Sequence, residues 1–142
     1  MTKPETCVFC DTTDLEWRIV RSEDLFLSFV SKPWFRAGQC LVIPRRHVEV
    51  AHELTNDEGA AIMQELGRIS LALDDGYGTG ILQKYMPLKK EDGIKMNHLH
   101  FHVFPRVPDE ESLFPVPNPN TYDGFITPSE QEIIAVLNRT RL

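Results

Sequence analysis

Short apolar stretches recur along this chain, some of them alternating with polar residues, and such stretches predict β-strands. The first two stretches flank the acidic pair at positions 23 and 24 and predict a hairpin, while Pro44 ends the third stretch. A fourth and a fifth stretch follow in the second half of the chain. The predicted strands cover residues 15–21, 25–30, 39–43, 80–86 and 97–104.

One central helix is predicted from a start signal and an apolar stripe. Thr55 followed by Glu58 is a capping-box pattern. The glycine-rich segment 76–80 favours a helix end and a turn over a phosphate-binding loop, because no helix N-terminus follows it. The apolar residues between these signals recur at helical spacing: Ile62, Leu66, Ile69 and Leu73.

The C-terminal part of the chain, residues 107–142, combines a proline- and acid-rich stretch with a second, short helix. Thr127, Pro128 and Glu130 predict that this helix begins with a capping box and has proline at its first position. The apolar pattern predicts that it ends near Leu137.

The length and charge of the chain limit its function classes. The 142 residues fit a single α+β domain over residues 1–142 with one core. Acidic residues outnumber basic ones, 21 to 15, and the formal net charge of −6 argues against a broad basic face for duplex nucleic acid. No apolar stretch approaches the roughly 20 residues that span a bilayer, and the first residues form no signal-peptide pattern. We expect a cytoplasmic protein that binds neither duplex nucleic acid nor membranes.

Residues 98–104, His-Leu-His-Phe-His-Val-Phe, carry the strongest chemical signal in the chain. Because side chains alternate along a strand, His98, His100 and His102 are expected on one face, about 6.5 to 7 Å apart, with the apolar residues between them facing the core. Imidazole titrates near neutral pH and can act as a nucleophile or as a proton donor. Attack on phosphorus is slightly favoured over the alternative, ligation of a metal ion by two or three of these rings.

The cysteines favour a metal site over a disulfide framework. Cys7 and Cys10 have the spacing of half a zinc site, which needs two further ligands. The alternative is that both are free thiols in an apolar segment. Cys40 lies in an apolar strand and is predicted to be part of the core, and His52 is predicted to be a solvated surface residue.

Together these motifs resemble the histidine-triad (HIT) superfamily. Residues 98–106 are similar to the family signature of alternating histidines that ends in Pro-Arg, residues 41–48 to its strand and fourth histidine, and residues 33–38 to the turn before that strand. The likeness runs from about Cys7 to Arg106. It implies an α+β fold with a five-stranded antiparallel sheet, one long helix and one short helix, and a homodimer in which two sheets join.

The resemblance also implies an enzyme. Family members are nucleotide hydrolases and transferases, with substrates such as nucleoside phosphoramidates, dinucleoside polyphosphates and adenylated adducts. The middle histidine, His100, is then expected to attack the α-phosphorus and to carry a covalent nucleotidyl group. His102 and His98 are expected to help bind the phosphate oxygens and the leaving group, and water finally releases the nucleotide.

Some family members carry a Cys-x-x-Cys pair near the N-terminus, and for them the resemblance implies a structural zinc ion. Its ligands here would be Cys7, Cys10, the fourth histidine His47 and the first triad residue His98. Such an ion would attach the N-terminal segment 1–14 to the histidine strand, and a closed shell of four ligands leaves no position for substrate.

This chain departs from the family pattern at three places. Val30 stands where many relatives have an Asp or Asn that holds the ribose hydroxyls, and Gln39 stands where histidine is usual. The longer loop before the triad offers Gln83, Gly93 and Lys95 as candidate substrate-binding residues, with Lys95 either a charged phosphate contact or part of a solvated loop. Gln39 is expected to alter a supporting contact and not the chemistry. Val30 and the rebuilt loop keep open a second function, a non-catalytic nucleotide-binding or scaffold protein. A metalloenzyme built on the triad is the third function considered.

Overall fold

The computed structural model describes residues 9, 13–84, 98–108 and 125–141, and these form an antiparallel sheet with two α-helices. The strand order across the five-stranded sheet is β1-β2-β3-β5-β4. This is the α+β architecture that the sequence predicts. The elements are β1 (Ile19–Ser22), β2 (Phe26–Val30), β3 (Cys40–Pro44), α1 (Asn56–Leu73), β4 (Thr79–Lys84), β5 (His100–Pro105) and α2 (Glu130–Thr140).

The strand register gives the two faces of the sheet different surroundings. Phe29 pairs with Leu41, and Leu41 pairs with His102, so these side chains share one face. The next row of paired residues points the opposite way and packs with the helices. One face of the sheet therefore carries the histidines, and the other carries the main core. The row that faces the helices is Val30, Cys40 and Val103.

α1 covers the face opposite the histidines. It begins as predicted, because the Thr55 hydroxyl accepts a hydrogen bond from the Glu58 N–H and the Glu58 carboxylate accepts one from the Thr55 N–H. The predicted apolar stripe of α1 is fully buried. Cys40 lies in the same core, also as predicted, and burial raises the pKa of its thiol to about 12. The core residues supplied by α2 are Ile133, Val136 and Leu137.

The first predicted strand is wrong in its first half. Residues Thr13–Arg18 form a 3-10 helix, and β1 begins only at Ile19. A 3-10 helix repeats every three residues, so Leu15 and Arg18 both turn inward while Trp17 between them is exposed. The sequence alternates here because Trp17 is apolar, but its side chain is exposed, so the alternation does not correspond to alternating burial.

The predicted start of the second helix is also wrong. The cap is Ser129, whose hydroxyl accepts from the Glu132 N–H, so the capping box lies two residues after the predicted one at Thr127. Pro128 precedes the cap instead of occupying the first turn, and the helix continues to Thr140, beyond Leu137. The sequence holds two overlapping capping-box patterns, and the structure uses the second.

The other elements end within a few residues of their predicted limits, as is usual for such boundaries. Residues 85, 86 and 97 of the predicted fourth and fifth strands lie outside the described residues. His52 is exposed in a short 3-10 helix, Ala51–Glu53, as predicted. In the part of the chain that the structure describes, no helix is long and apolar enough to cross a membrane.

Candidate active site

The three histidines lie around the start of β5. His100 is the first residue of the strand, His102 follows on the same face, and His98 lies two residues before the strand. The ring centroids of His100 and His102 are 5.2 Å apart. This is shorter than the about 6.5 to 7 Å predicted from strand spacing, because the two rings lean toward each other. His98 and His102 are buried, whereas His100 is partly exposed.

His98 is held by the end of β3. Its Nε2 donates a hydrogen bond to the Pro44 carbonyl at 2.9 Å, and the Leu99 N–H donates to the Val48 carbonyl at 2.8 Å. A carbonyl only accepts, so the Nε2 of His98 carries a proton and the lone pair of the neutral ring is on Nδ1. Burial lowers the pKa of His98 to about 4, so the ring is neutral at physiological pH.

His100 is held by the backbone of its own segment. Its Nδ1 donates to the His98 carbonyl at 2.7 Å. This bond places the proton of the neutral ring on Nδ1 and leaves the lone pair on Nε2. The partly exposed ring of His100 therefore combines a fixed orientation with a basic nitrogen.

His102 contacts side chains from the loop before β3. Its Nδ1 lies 2.5 Å from the Nε2 of Gln39, and its ring packs edge-on against Phe35 with centroids 5.3 Å apart. Both Gln39 and Phe35 are buried. The Gln39 position, noted in the sequence only as a departure from the family pattern, thus contacts the triad directly.

Phe9 joins the N-terminal segment to the histidines. Its ring lies 5.8 Å from His98, 5.2 Å from His100 and 5.8 Å from Phe29, measured between centroids. Sequence reasoning missed Phe9 and Phe35 as site residues. Their contacts with the triad link segments that are far apart in the chain, and no local pattern marks them.

His47 stands beside His98. Both rings are buried, and they meet at right angles with centroids 4.9 Å apart. Cys7 and Cys10, the other predicted zinc ligands, lie outside the described residues. Within the residues that are described, no group of three or more His, Cys, Asp or Glu side chains is arranged to hold a metal ion. The structure therefore brings together two of the four predicted ligands, both imidazoles.

The position predicted to face ribose lies on the other side of the sheet. Val30 is fully buried in the core beneath α1, and its neighbour Phe29 faces the histidine side. The guanidinium of Arg18 lies 5.7 Å from the centroid of the Phe29 ring and donates to the Val30 carbonyl at 2.6 Å. At β2 the surface of the site is therefore formed by the ring of Phe29, and the guanidinium of Arg18 packs on that ring.

The structure describes only the backbone of one candidate substrate-binding residue, Gln83. Gln83 belongs to β4 and pairs with Phe101 of β5, which places its backbone next to the triad strand. The side chain of Gln83, and the whole of Gly93 and Lys95, lie outside the described residues. Their roles stay predictions.

The arrangement is suited to nucleophilic chemistry. His100 presents a lone pair on Nε2, and His98 is a neutral, buried ring beside it. A partly exposed imidazole whose proton is held on Nδ1 can attack an electrophilic centre through Nε2.

Comparison with known proteins identifies relatives of this chain. The family model of the HIT domain matches residues 13–109. The adenosine 5'-monophosphoramidase hnt1 of Schizosaccharomyces pombe is 27% identical over 111 residues, which are 75% of this chain and 77% of that protein.

Solved structures share the architecture. A hypothetical histidine triad nucleotide-binding protein from Sulfolobus tokodaii superposes with a TM-score of 0.64 at 21% identity, covering 95% of this chain and 89% of that one. A zinc-bound histidine triad family protein from Mycobacterium smegmatis superposes with a TM-score of 0.60 at 22% identity, covering 94% of each chain. At these identities the likeness shows the HIT-like fold.

Proposed function

This chain belongs to the HIT family, and we propose that it cleaves a phosphoryl bond of a nucleoside phosphate as a hydrolase or a nucleotidyltransferase. The family match and the relative named as a monophosphoramidase support nucleotide hydrolase or transferase activity in general. For this chain we propose phosphoramidates, dinucleoside polyphosphates or similar compounds as substrates. The observation that carries the proposal is the hydrogen bond from Nδ1 of His100 to the His98 carbonyl.

That hydrogen bond prepares His100 as the nucleophile. With the proton on Nδ1, the lone pair of Nε2 can attack the α-phosphorus. When Nε2 bonds to phosphorus, the ring becomes positively charged. The bond from Nδ1–H to a carbonyl then strengthens as that charge develops, so it favours the transition state over the resting ring.

Two displacements complete the proposed reaction. In the first, the bond from Nε2 of His100 to phosphorus forms while the bond from phosphorus to the leaving group breaks. The leaving group departs with the electron pair and takes a proton from the solvent. In the second, a water oxygen bonds to phosphorus, the Nε2–P bond breaks, and the water returns a proton to the solvent. One water is consumed for each phosphoryl bond cleaved, and in a transferase an acceptor hydroxyl replaces that water.

The other predicted site residues receive binding roles. His102 and His98 help to bind the phosphoryl oxygens and the leaving group, and the His98 carbonyl also orients His100. Gln83, Gly93 and Lys95 contact the phosphate or the nucleoside from the segment before the triad, with the ammonium of Lys95 acting as a point charge on phosphate.

We also propose a structural zinc ion held by Cys7, Cys10, His47 and His98, in the Cys-x-x-Cys branch of the family. The two imidazoles are buried side by side, and His98 keeps its lone pair on Nδ1 because Nε2 donates to Pro44. A ligand histidine whose second nitrogen donates to a backbone carbonyl is the usual arrangement at zinc. When bound, the ion would crosslink the N-terminal segment 1–14 to the residues before β5.

The assembly and location are proposed from the family and the composition. We propose a cytoplasmic homodimer that acts on a small nucleotide and not on duplex nucleic acid, in keeping with the net charge of −6. β4 is an edge strand of the sheet, and its Ile81 is 49% exposed. An exposed apolar edge strand is a suitable surface for joining two sheets.

Steady-state hydrolysis of a substrate panel tests the proposed activity. The panel contains mononucleotide esters, an adenosine phosphoramidate and dinucleoside polyphosphates. His100→Ala should lose hydrolysis of the preferred compound and keep the Tm of the wild type. His52→Ala is the matched control, since this histidine is exposed and outside the triad, and it should retain full activity. Equal rates for His100→Ala and the wild type would rule out His100 as the nucleophile.

One observation favours the second candidate function, a non-catalytic nucleotide-binding protein. The β2 residue on the histidine face is Phe29, and an aromatic ring cannot hold ribose hydroxyls as a carboxylate does. Binding of a nucleoside monophosphate without turnover of any compound in the panel would select this function.

A further inference from the structure

We propose that Gln39 is a positioning residue that fixes the proton of His102 on Nε2, so that this ring donates a hydrogen bond to the phosphoryl group under attack. The inference rests on the proposed function of His100. Gln39 is one of the positions where this chain departs from the pattern of its family, and it touches the triad at His102.

The backbone of the loop before β3 determines which end of the Gln39 amide is oxygen. Its Oε1 accepts from the Phe35 N–H at 2.8 Å and lies 3.5 Å from the Arg36 N–H. Backbone N–H groups only donate, so the atom that faces them is the carbonyl oxygen. The other end of the amide, Nε2, is therefore a donor.

Both hydrogens of the Gln39 Nε2 have acceptors. The Ser31 hydroxyl donates to the Pro33 carbonyl at 3.0 Å, so its oxygen accepts the first hydrogen of Gln39 at 3.3 Å. The second hydrogen points to Nδ1 of His102. Gln39 is 1% exposed and Ser31 is 4% exposed, so water does not compete for these bonds. Gly38, at a φ of 87° that favours glycine, turns the chain so that Gln39 reaches this position.

These contacts select one protonation pattern for His102. An amide N–H can bond to Nδ1 only if that nitrogen holds a lone pair, so the proton of the neutral ring is on Nε2. A proton on Nδ1 would place two donors against each other in a buried site. That arrangement leaves a buried donor without an acceptor, which is costly.

His100 and His102 therefore carry their protons on opposite ring nitrogens. The His98 carbonyl puts the proton of His100 on Nδ1, and Gln39 puts the proton of His102 on Nε2. With ring centroids 5.2 Å apart, a lone pair on one ring and an N–H on the next can serve the same phosphoryl group. The attacking nitrogen meets phosphorus while the neighbouring N–H stabilises the negative charge that grows on a phosphoryl oxygen.

Gln39→Glu is the decisive variant. A carboxylate keeps the acceptor for the Phe35 N–H but replaces the donor to His102 with a second acceptor, so the one proton of the neutral ring moves from Nε2 to Nδ1 and the donor toward the phosphoryl group is lost. Loss of one positioned donor to a developing oxyanion lowers kcat by about 100-fold or more. KM should change little, because the lost interaction strengthens only in the transition state. Gln39→Met, which has no donor and a similar length, should also lower kcat.

Ser31→Ala is the matched control for a merely structural role. It removes another hydrogen bond of the same buried amide but leaves the donor to His102 in place. We expect Ser31→Ala and the Gln39 variants to have a lower Tm than the wild type. We expect Ser31→Ala to keep the kcat of the wild type. A fall in kcat in Ser31→Ala equal to that in Gln39→Glu would assign the effect to loop stability and overturn the proposal.

Long-range 1H–15N NMR shows directly which ring nitrogen of His102 carries the proton. In the wild type, without substrate, Nε2 should show the 15N shift of a protonated nitrogen and Nδ1 that of an unprotonated one. In Gln39→Glu, Nδ1 should shift to the protonated value. A protonated Nδ1 in the neutral wild-type ring would overturn the proposal without any variant. If the proton pattern is as proposed but the wild type hydrolyses no nucleotide, the proposed function fails and the assignment of the His102 proton stands.

Discussion

The Val30→Asp substitution tests whether position 30 faces the substrate, as the family pattern suggests, or the core, as in the structure. Counted back from Pro33, an Asp at position 30 would restore the carboxylate that many relatives place near ribose. In the structure the Val30 side chain is fully buried beside Cys40 under α1, on the side of the sheet away from the histidines. We therefore predict that the substitution destabilises the fold and does not improve nucleotide binding.

The expected loss of stability has two parts. Removing a fully buried valine side chain costs about 1.5 to 3 kcal/mol of apolar burial. The new carboxyl adds about 1 to 3 kcal/mol, because a buried polar group without a partner is not compensated for its lost hydration. The sum, about 2.5 to 6 kcal/mol, is a large part of the roughly 5 to 15 kcal/mol that stabilises a typical domain. For a domain of this size it should lower the Tm by roughly 10 to 20 °C.

Urea and thermal unfolding followed by fluorescence measure this loss, since Trp34 is fully buried and reports on the core. Val30→Ala is the control, because it removes apolar contacts without adding a polar group and should lose less stability than Val30→Asp. The KM for an adenosine phosphoramidate, measured on the folded fraction, should not fall in either variant. A Val30→Asp protein with the Tm of the wild type and a lower KM would show that position 30 faces the substrate and would refute the assignment of the two sheet faces.

Three further predictions concern the Arg46–Glu58 ion pair, the proposed zinc site and the loop before the triad. The hydrogen bond from Arg46 lowers the pKa of the Glu58 carboxyl, so this group stabilises the fold above its ordinary pKa of about 4.3, and that stabilisation is lost as the pH falls through the lowered value. Glu58→Gln should thus be less stable than the wild type at pH 7, and in urea titrations the difference should shrink as the pH falls below the ordinary pKa of a glutamate. Gently purified protein should contain one zinc per chain by elemental analysis; chelation or Cys10→Ser should lower its Tm, and a zinc content below about a tenth per chain would end the zinc proposal. Lys95→Met should raise the KM for a phosphate substrate with little change in kcat, and an unchanged KM would assign Lys95 to a solvated loop.

Local periodicity was sufficient for most of the fold. The strands and the central helix follow from alternation, helical spacing and the capping box at Thr55, because each of these depends on residues close in sequence. It failed at Thr13–Arg18 and at the start of α2. In the first segment the alternation depends on Trp17, which is apolar but exposed. In the second, two capping-box patterns overlap, and the local sequence does not choose between them.

Less of the candidate site than of the fold could be predicted from the sequence. The triad pattern identified the histidines, but the proton on each ring depends on partners that are remote in the chain, such as Gln39 for His102 and Pro44 for His98. The face on which Val30 lies depends on its pairing with Cys40, which counting from Pro33 does not reveal. Long-range register and hydrogen bonding therefore supply what periodicity lacks.

The proposed covalent intermediate offers the most direct test of the central claim. The wild type is mixed with an adenosine phosphoramidate, quenched during turnover in denaturant at neutral to alkaline pH, and analysed by intact mass and peptide mapping. We predict the mass of one adenylyl group on the peptide that contains residues 98–102, localised to His100, and none in His100→Ala. Turnover of the phosphoramidate with no adduct at any time, or with an adduct on a residue other than His100, would contradict the account.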